Sequence, residues 1–414
     1  MATSRTTPST STDHAKARAQ QRLASVYGEL VALSHRIHSA PELAFQEEKA
    51  SAWLVELLSA AGFAVQTPLG DLPTAFLARV GSGPLHLAIC AEYDALPGIG
   101  HACDHNLIAA MAAGAGIAAA HVADEVGLTV SVIGTPAEEG GGGGKILLLE
   151  RGAFDGVHAA MMAHPYPADI AAPALLATTH FEAQYTGKEA HAAAFPELGI
   201  NAADALTVAQ VAVGLLRQQL RPTDRVHGII TQGGQAPNIV PAHTAAKYQA
   251  RAQTLDQLQE VLAKVKRCFE AGALATGAAL QIVGGDRPYA QLASDADLAT
   301  LYQRNAEALG RRFVDMPVLA STDMGNVSLV MPAIQPLIGI DSLPAVNHQP
   351  EFTAACITPA ADQAIHDGAL ALAWTAIDLA CDETIRSRLL TAGGYRSLRD
   401  GVGAQQQRPN EVGQ

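Results

Sequence analysis

The sequence predicts a mixed α/β protein in which a smaller α+β domain interrupts a larger α/β domain. At 414 residues the chain is too long for one ordinary hydrophobic core, so two domains are expected. Short apolar runs alternate with helical patterns over residues 51–163, which is typical of an α/β sheet. The order strand, helix, strand, strand, helix, strand over residues 175–283 is that of a ferredoxin-like unit, which can fold by itself.

The first domain begins with two helical segments. Apolar residues recur at helical spacing from Asp13 to about Ser39 and again over residues 51–61. Short apolar runs bounded by glycine and proline follow, and their continuous apolar character predicts strands buried on both faces. In chain order the predicted elements are strands 75–80 and 85–90, helix 107–123, strand 128–133, helix 145–151 and strand 159–163.

The pattern changes after His164, and we assign residues 178–286 to the inserted ferredoxin-like domain. The first domain then comprises residues 13–177 and 287–397, and residues 1–12 and 398–414 are expected to be disordered tails. The predicted elements of this part are strand 175–186, helix 201–220, strands 226–231 and 244–252, helix 255–274, strand 278–283, helix 295–309, short strands such as 333–340, and helix 359–379.

Composition and charge exclude several classes of protein. The formal net charge is −13 at pH 7 and the sequence contains no concentrated basic face, so nucleic acid is excluded as a partner. No apolar run reaches the roughly 18–20 residues of a membrane span. Residues 1–12 lack the apolar core of a secretory signal, and five scattered cysteines argue against a disulfide framework. We therefore expect a cytoplasmic protein with a small-molecule substrate.

Two short stretches place metal-binding residue types beside a spare carboxylate. The first contains Cys103 and His105, and the second ends in Glu138 and Glu139. Thiolate and imidazole bind divalent transition metals. Adjacent carboxylates at a strand end repel each other unless a cation is present, so one can complete a metal shell while the other handles protons. The pattern predicts a hydrolytic metal centre, against the plainer alternatives of a buried cysteine, a surface histidine and a solvated acidic loop.

Two further histidines extend this set. His164 ends an apolar strand, and His348 lies in the loop 345–349. A lone histidine in such a place is more often structural than a ligand, but candidates on several separate strand ends form a coherent set. Because ligand groups of open α/β sheets gather at the carboxyl ends of strands, we expect them to meet there. The five ligand candidates are Cys103, His105, Glu139, His164 and His348.

Taken together, these residues resemble the M20 family of metallopeptidases and amidohydrolases over nearly the whole chain. The run Glu-Glu-Gly-Gly-Gly-Gly is typical of the branch that contains aminobenzoyl-glutamate hydrolase and the dipeptidase-like M20 domain-containing 2 proteins. The resemblance implies an M20-type catalytic α/β domain with an inserted ferredoxin-like lid and dimerisation domain. The motifs in common are His38–Leu43, Ala91–Pro97, the Cys103 loop, the glutamate pair, Gly187–Ala192, Asn238–Pro241, Ser321–Asn326 and His348.

The resemblance also implies the chemistry of the metal centre. Glu138 would be the general base that activates a water shared by two metal ions, and Glu139 would be a metal ligand beside it. The other four ligand candidates would complete a site for two divalent ions, Mn²⁺ or Zn²⁺. Two cations lower the pKa of a shared water and stabilise the oxyanion, so the protein mainly supplies a base and a positioned donor.

Further roles are implied for residues outside the metal shell. His191 would hydrogen-bond the developing oxyanion, in the same chain or across a dimer, although an exposed structural histidine is the plainer interpretation. Asn238 would orient the substrate, and Arg251 would anchor a substrate carboxylate, although an arginine on an exposed strand is commonplace. Asp94 would orient a ligand rather than bind metal itself. The inserted domain implies a homodimer or a higher homo-oligomer.

One departure from the family pattern lies between two expected ligands. The family has glycine between the Cys and His ligands, and this chain has Asp104. A carboxylate there could bind metal directly, displace Cys103 or harden the site toward manganese. Alternatively, Asp104 points to solvent and supplies only a backbone conformation at positive φ, which aspartate adopts more readily than most residues. Of the two, we favour an altered metal site.

The sequence thus predicts a binuclear metal-dependent hydrolase of a C–N bond. Its substrate would be the amide of an N-acyl or aminobenzoyl amino acid or a dipeptide-like compound. One alternative is an aminohydrolase that releases ammonia from an activated aromatic amine on the same scaffold. A second is an M20-like binding protein without turnover. A missing base or ligand would indicate that second alternative, and here Glu138 and all five ligand candidates are present.

Overall fold

A computed structural model describes residues 10–397 of the chain. These residues form two compact units. Unit 1 contains the residues up to Pro173, Ala293–Pro317 and the residues from Asn326 onward, and unit 2 contains Ala174–Leu292 and Val318–Gly325. The predicted fold class, an α/β domain with an inserted ferredoxin-like domain, is confirmed.

The first part of unit 1 supplies most of a central sheet and the helices that cover it. Strands β3 and β4 are buried at every position, as expected for strands covered on both faces. Helix α3 is buried along almost its whole length because its alanines and glycines allow close packing. In chain order the elements are α1 (Thr10–Ser39), α2 (Glu48–Ala60), β1 (Ala64–Gln66), β2 (Phe76–Val80), β3 (Leu85–Ala91), α3 (His105–Ala120), α4 (Ala123–Val126), β4 (Leu128–Gly134), α5 (Gly144–Glu150), β5 (Ala159–Met161) and β6 (His164–Tyr166).

Unit 2 has the predicted β-α-β-β-α-β order, and its antiparallel strands are arranged β10-β7-β9-β8. Its core contains alanines and an aromatic group formed by Phe181, Tyr185, Tyr248 and Phe269. The elements are β7 (Ala177–Thr186), α6 (Ala202–Leu216), β8 (Arg225–Gln232), β9 (His243–Ala252), α7 (Leu255–Thr276) and β10 (Ala279–Gly284).

The last part of the chain completes the central sheet of unit 1. Strand β11 pairs in parallel with β5, and β12 pairs in parallel with β6 in a separate small sheet. Among residues 10–397, every helix is too short or not apolar enough to cross a membrane. The elements are α8 (Ala296–Ala308), α9 (Met324–Ser328), β11 (Ala333–Ile334), β12 (Leu337–Gly339), α10 (Pro350–Ala355), α11 (Pro359–Cys381) and α12 (Glu383–Ala392).

The topology of the central sheet determines where functional groups can meet. Its strand order is β1-β2-β4-β3-β5-β11. Strands β3, β4, β5 and β11 are parallel, whereas β2 is antiparallel to β4 and β1 is antiparallel to β2. The loops that follow β3, β4 and β5 therefore leave the sheet at the same edge, where α/β proteins place their ligand sites.

The structure corrects several predicted boundaries. Helix α1 begins at Thr10, so the predicted tail 1–12 is wrong for its last three residues, whereas residues 1–9 and 398–414 lie outside the described part. His164 begins β6 instead of ending the strand before it. The predicted strand 333–340 is two short strands in different sheets, because Pro336 between them has no N–H for a ladder.

The boundaries 178–286 of the inserted domain stay a prediction. Compact unit 2 is wider, and it also takes in Val318–Gly325, which the prediction assigned to the first domain. Within unit 2 the Leu176 amide donates to the Ala320 carbonyl (2.8 Å), which ties this later segment to the start of β7. A contact between residues so far apart in sequence leaves no local signal in the residue pattern.

Gly116 of α3 provides a test of how closely this helix packs on the sheet. A Cβ atom at Gly116 would lie 2.3 Å from Val132 Cγ2 of β4. We expect Gly116→Ala to lower the free energy of unfolding by about 1–3 kcal/mol, because the helix and the sheet must move apart. Urea denaturation measures this loss.

The matched control is Gly28→Ala, in the exposed face of α1. A Cβ there meets nothing within 4 Å, so the better helix propensity of alanine should raise the free energy of unfolding by up to about 1 kcal/mol. If both variants were as stable as the wild type or more stable, the close packing of α3 would be contradicted.

Candidate metal centre

The candidate site lies in unit 1, at the carboxyl ends of β3, β4 and β5. Asp94 follows β3, Glu138 and Glu139 follow β4, and His164 follows β5. Helix α3 begins at His105 and directs its first turn to the same edge of the sheet. The shared edge thus explains why residues from well-separated parts of the sequence meet.

The structure brings together the predicted base and the five predicted ligands. Their donor atoms fall into three groups, and the atoms of each group lie within 4.8 Å of one another. Because some residues belong to two groups, the atoms form one continuous cluster of sulfur, nitrogen and oxygen donors. The groups are Cys103, His105 and His164; Cys103, Glu139 and His348; and His105, Glu138 and Glu139.

Hydrogen bonds determine which nitrogen carries the proton in two imidazoles of this cluster, those of the buried His105 and the half-buried His164. His105 Nδ1 lies 2.8 Å from Asp94 Oδ1, and His164 Nδ1 lies 2.7 Å from the Pro165 carbonyl oxygen. Since both partners are acceptors, each Nδ1 carries the proton and donates it. In the neutral form of each ring, Nε2 is then the nitrogen with the lone pair, as a metal ligand requires.

Carboxylate oxygens converge on His105 Nε2. Glu92 Oε2 lies 3.4 Å from it and Glu138 Oε2 lies 4.0 Å from it. Within residues 10–397, neither His105 Nε2 nor Glu92 Oε2 has a hydrogen-bond partner. Converging buried lone pairs repel one another unless a proton or a cation lies among them. These residues therefore fit a divalent cation.

The buried carboxylates also shift the pKa values of the thiol and imidazole donors. Burial raises the pKa of the Cys103 thiol well above its usual range, and the carboxylates of Glu139 and Glu138 raise it further. Burial acts to lower the pKa of His105, but the charge of Asp94 and its hydrogen bond outweigh it and raise that pKa well above the usual value. A cation in the cluster would reverse both effects, because it favours thiolate and neutral imidazole.

The structure does not place Asp104 with these ligands. None of the three groups of described residues includes Asp104, and its Oδ1 instead accepts a hydrogen bond from Cys356 Sγ. Its backbone has φ 61°, the positive φ of the alternative interpretation, but the side chain is fully buried and does not point to solvent. The favoured interpretation, an altered metal site, stays a prediction. Burial raises the pKa of Asp104 to about 8. The left-handed backbone turns this side chain away from the cluster.

Sequence reasoning missed a buried ion pair beneath the cluster. Glu92 Oε1 accepts a hydrogen bond from Lys145 Nζ, and both side chains are fully buried. Glu92 stands two residues before Asp94 in the motif Ala91–Pro97. This position is the signal in the sequence that could have indicated a role for Glu92. Lys145 lies in the apolar first turn of α5, where the sequence predicts only a helix start.

The remaining predicted residues lie in unit 2. His191 and Asn238 are neighbours there, because the Ala192 amide donates to the Asn238 carbonyl (3.0 Å). Arg251 lies on β9, where its Nη1 donates to Ser321 Oγ (2.7 Å). Arg251 also pairs in register with Arg225 of β8. Both arginines therefore belong to one part of the unit 2 sheet.

The chain is similar in sequence to known peptidases and hydrolases. Residues 176–276 match the family described as a peptidase dimerisation domain. The chain is 42% identical over 386 residues to a mouse Xaa-Arg dipeptidase, which covers 88% of each chain. It is 34% identical over 265 residues to a p-aminobenzoyl-glutamate hydrolase chain of Escherichia coli K12, which covers 59% of this chain and 55% of that protein.

The fold is also similar to a solved structure. A Bacillus subtilis protein described as a dinuclear metal-binding peptidase from the M20 family superposes with a TM-score of 0.65 at 21% identity. The superposition covers 86% of this chain and 99% of that one. At this level of identity the likeness concerns the fold.

The position of Asp104 leads to a prediction about metal content. We expect Asp104→Gly to keep the wild-type ratio of bound metal to protein, because its side chain contacts Cys356 and not the cluster. We expect Cys103→Ala to lower that ratio, because Cys103 belongs to two of the three groups. Elemental analysis after dialysis against Mn²⁺ or Zn²⁺ measures both. An equal loss in the two variants would make Asp104 a ligand.

Proposed function

The chain belongs to the M20 family of metal-dependent peptidases and amidohydrolases, and from that membership we propose that it hydrolyses the amide bond of dipeptide-like or N-acyl amino acid substrates. One observation carries this proposal. Two adjacent carboxylates, Glu138 and Glu139, lie in a cluster with imidazole and thiol groups at the carboxyl edge of the sheet. Such a cluster provides both metal ligands and a carboxylate for proton transfer, the two components of a metal-dependent amide hydrolase.

The metal-holding residues would be the five donors other than Glu138. Their mixture of sulfur, nitrogen and oxygen suits borderline divalent ions, and we propose two ions, Mn²⁺ or Zn²⁺. When bound, the ions would supply Lewis acidity, which makes water more acidic and stabilises negative charge on a carbonyl oxygen. The proposed ligands are Cys103, His105, Glu139, His164 and His348.

We assign the role of general base to Glu138. Glu139 belongs to two of the donor groups, whereas Glu138 belongs to one, so Glu138 is the carboxylate that can be spared for proton transfer. It would accept a proton from the attacking water and deliver that proton to the nitrogen of the leaving amine as the C–N bond breaks. Asp94 would keep His105 in the required orientation throughout.

His191 is suited to donate a hydrogen bond to the developing oxyanion. The amides of Ala193 and Ala194 both donate to its Nδ1, at 3.2 and 3.1 Å. Two donors on Nδ1 require a lone pair there, so in the neutral ring the proton resides on Nε2. We assign the Nε2–H group to the oxyanion and the neighbouring Asn238 to substrate orientation.

Arg251 is the proposed anchor of the substrate carboxylate. Its guanidinium is held by Ser321, and its cross-strand partner Arg225 adds a second positive charge to this part of the sheet. A planar guanidinium binds a carboxylate through two parallel hydrogen bonds. Since the mouse relative is named an Xaa-Arg dipeptidase, dipeptides that end in arginine are the first substrates to test.

The activity is tested by adding metal to chelated protein. We expect protein freed of metal to be inactive, and Mn²⁺ or Zn²⁺ to restore hydrolysis of a dipeptide, an N-acyl amino acid or aminobenzoyl-glutamate. Chromatography detects the free amino acid. Release of ammonia from aromatic amines, with no amide cleaved, would replace this proposal with aminohydrolase activity.

Substitution of each adjacent glutamate in turn distinguishes the general base from the metal ligand. We expect Glu138→Gln to lower kcat by about 10²–10⁴-fold while metal content stays at the wild-type level, because the amide cannot accept the proton. We expect Glu139→Gln to lose metal as well as activity. Metal analysis and steady-state kinetics on the same preparations distinguish the two. If Glu138→Gln kept its activity, the mechanism would be wrong.

We also propose that the protein forms a homodimer through unit 2. Strand β8 is an edge strand, and Ile229 and Ile230 on it are 66% and 51% exposed. Val211 and Leu215 lie one turn apart on α6 and are exposed as well. An edge strand beside exposed apolar side chains is a template for pairing with a second chain. The match of this unit to a peptidase dimerisation domain supports the proposal.

The dimer is tested by charge substitution on β8. We expect Ile230→Lys to shift the protein toward the 42.9 kDa monomer, because a buried lysine at the interface would lack a partner. The control is Leu274→Lys, which is 88% exposed and lies near the end of α7 instead of on β8. Light scattering with size-exclusion chromatography reports the mass. Identical masses for both variants and the wild type would argue against this interface.

A further inference from the structure

Glu47 is a fully buried carboxylate outside the donor cluster. It lies just before α2 and is 0% exposed. Its Oε2 accepts a hydrogen bond from Thr74 Oγ1 (2.9 Å). Its Oε1 accepts two backbone hydrogen bonds, from Phe45 N and from Ala137 N, both at 2.9 Å. Three donors thus hold this carboxylate in one orientation, and one of them belongs to a segment 90 residues away.

Both backbone donors have the left-handed conformation. Phe45 has φ 63° and Ala137 has φ 59°, values that residues with a side chain rarely adopt. Such conformations persist only where surrounding contacts impose them. For Ala137 the contacts are the Glu47 carboxylate on its N–H and the amide of Gly144 on its carbonyl oxygen (3.3 Å). Both polar groups of the Ala137 backbone are therefore engaged.

Ala137 directly precedes the proposed base. On the other side of Glu138, the amide of Glu139 donates to Asp94 Oδ2 (2.9 Å). The backbone on each side of Glu138 is thus hydrogen-bonded to a different buried carboxylate, Glu47 before it and Asp94 after it. The direction of the Glu138 side chain therefore depends on both hydrogen bonds.

We propose that Glu47 is a positioning residue, which holds Ala137 in its left-handed conformation and thereby aims the Glu138 carboxylate at the donor cluster. This inference rests on the proposed function of Glu138. Glu47 contacts none of the proposed ligands in the structure, and its effect passes through the backbone. A displacement of about 1 Å in a catalytic group can cost on the order of 10²-fold in rate.

The first test is kinetic. We expect Glu47→Ala to lower kcat by about 10- to 100-fold with little change in KM and no change in metal content, because substrate and metal sites stay intact while the base is misaligned. We expect Glu47→Gln to recover most of kcat, because its amide oxygen can still accept the Ala137 hydrogen bond. If Glu47→Ala folds poorly, Thr74→Val is the second variant, because it removes one hydrogen bond to the same carboxylate. We expect it to lower kcat, again with little change in KM and no change in metal content.

Glu42 provides the matched control. Its carboxylate also accepts backbone hydrogen bonds, from Lys49 N and Ala50 N in the first turn of α2, but it makes none to the loop of Glu138. We expect Glu42→Ala to lower thermal stability and leave kcat near the wild-type value. A parallel loss of kcat in the Glu42 and Glu47 variants, or a loss of metal in Glu47→Ala, would overturn the positioning role.

Hydrogen exchange provides a measurement that is independent of activity. We expect the Ala137 amide to exchange faster in Glu47→Ala than in wild type, and the Lys49 and Ala50 amides to exchange faster in Glu42→Ala. Unchanged exchange at Ala137 would overturn the inference even in an active enzyme. If the wild type cleaved no amide while exchange at Ala137 responded as expected, the proposed function would fail and the contact that holds this backbone would stand.

Discussion

The arrangement of the candidate site depends on the hydrogen bonds of the Asp94 carboxylate. It is almost completely buried, and its two oxygens bind different segments: Oδ1 accepts from His105 Nδ1 and Oδ2 accepts from the Glu139 amide. One side chain after β3 therefore sets the tautomer of an imidazole on α3 and the backbone of the loop after β4. Because these bonds share a buried carboxylate, a shift in one segment disturbs the others, which is how a small polar network can rigidify a site. The parallel strands bring these segments together, and Asp94 joins them.

Burial of so much negative charge has to be offset locally. The Lys145 ammonium neutralises Glu92 beneath His105, and both are excluded from water. Removing one partner of a buried pair costs about 3–5 kcal/mol, since the other charge is left without a partner. The second oxygen of Glu92 still lies 3.4 Å from His105 Nε2. The protein thus supplies one cation of its own below the cluster, and the donors above it fit cations from solution. A change in this ion pair would therefore affect both fold stability and the charge that faces the donor cluster.

Much of this could be predicted from sequence, because the signals are local. The apolar runs indicate β3 and β4, and the donor residue types stand at strand ends that a parallel sheet must bring together. The unpredicted features depend on contacts between distant segments. Glu92 and Lys145 are 53 residues apart, and a lysine in an apolar helical turn resembles any helix start. The direction of the Asp104 side chain depends on Cys356, 252 residues away. Residue type alone cannot tell a ligand from a buried structural carboxyl group.

Left-handed residues border the site at several points. Phe45, Asp104, Ala137 and His348 all have positive φ, which costs an L-residue about 1–2 kcal/mol each. At Asp104 a glycine would adopt the same backbone without that cost. What aspartate adds is the hydrogen bond from Cys356, which follows α10 and ties the loop of Cys103 to the last third of the chain. Aspartate at this position therefore has a less favourable backbone conformation than glycine but adds a buried hydrogen bond. Its effect on the metal centre would come from the position of Cys103 and not from a metal–carboxylate bond.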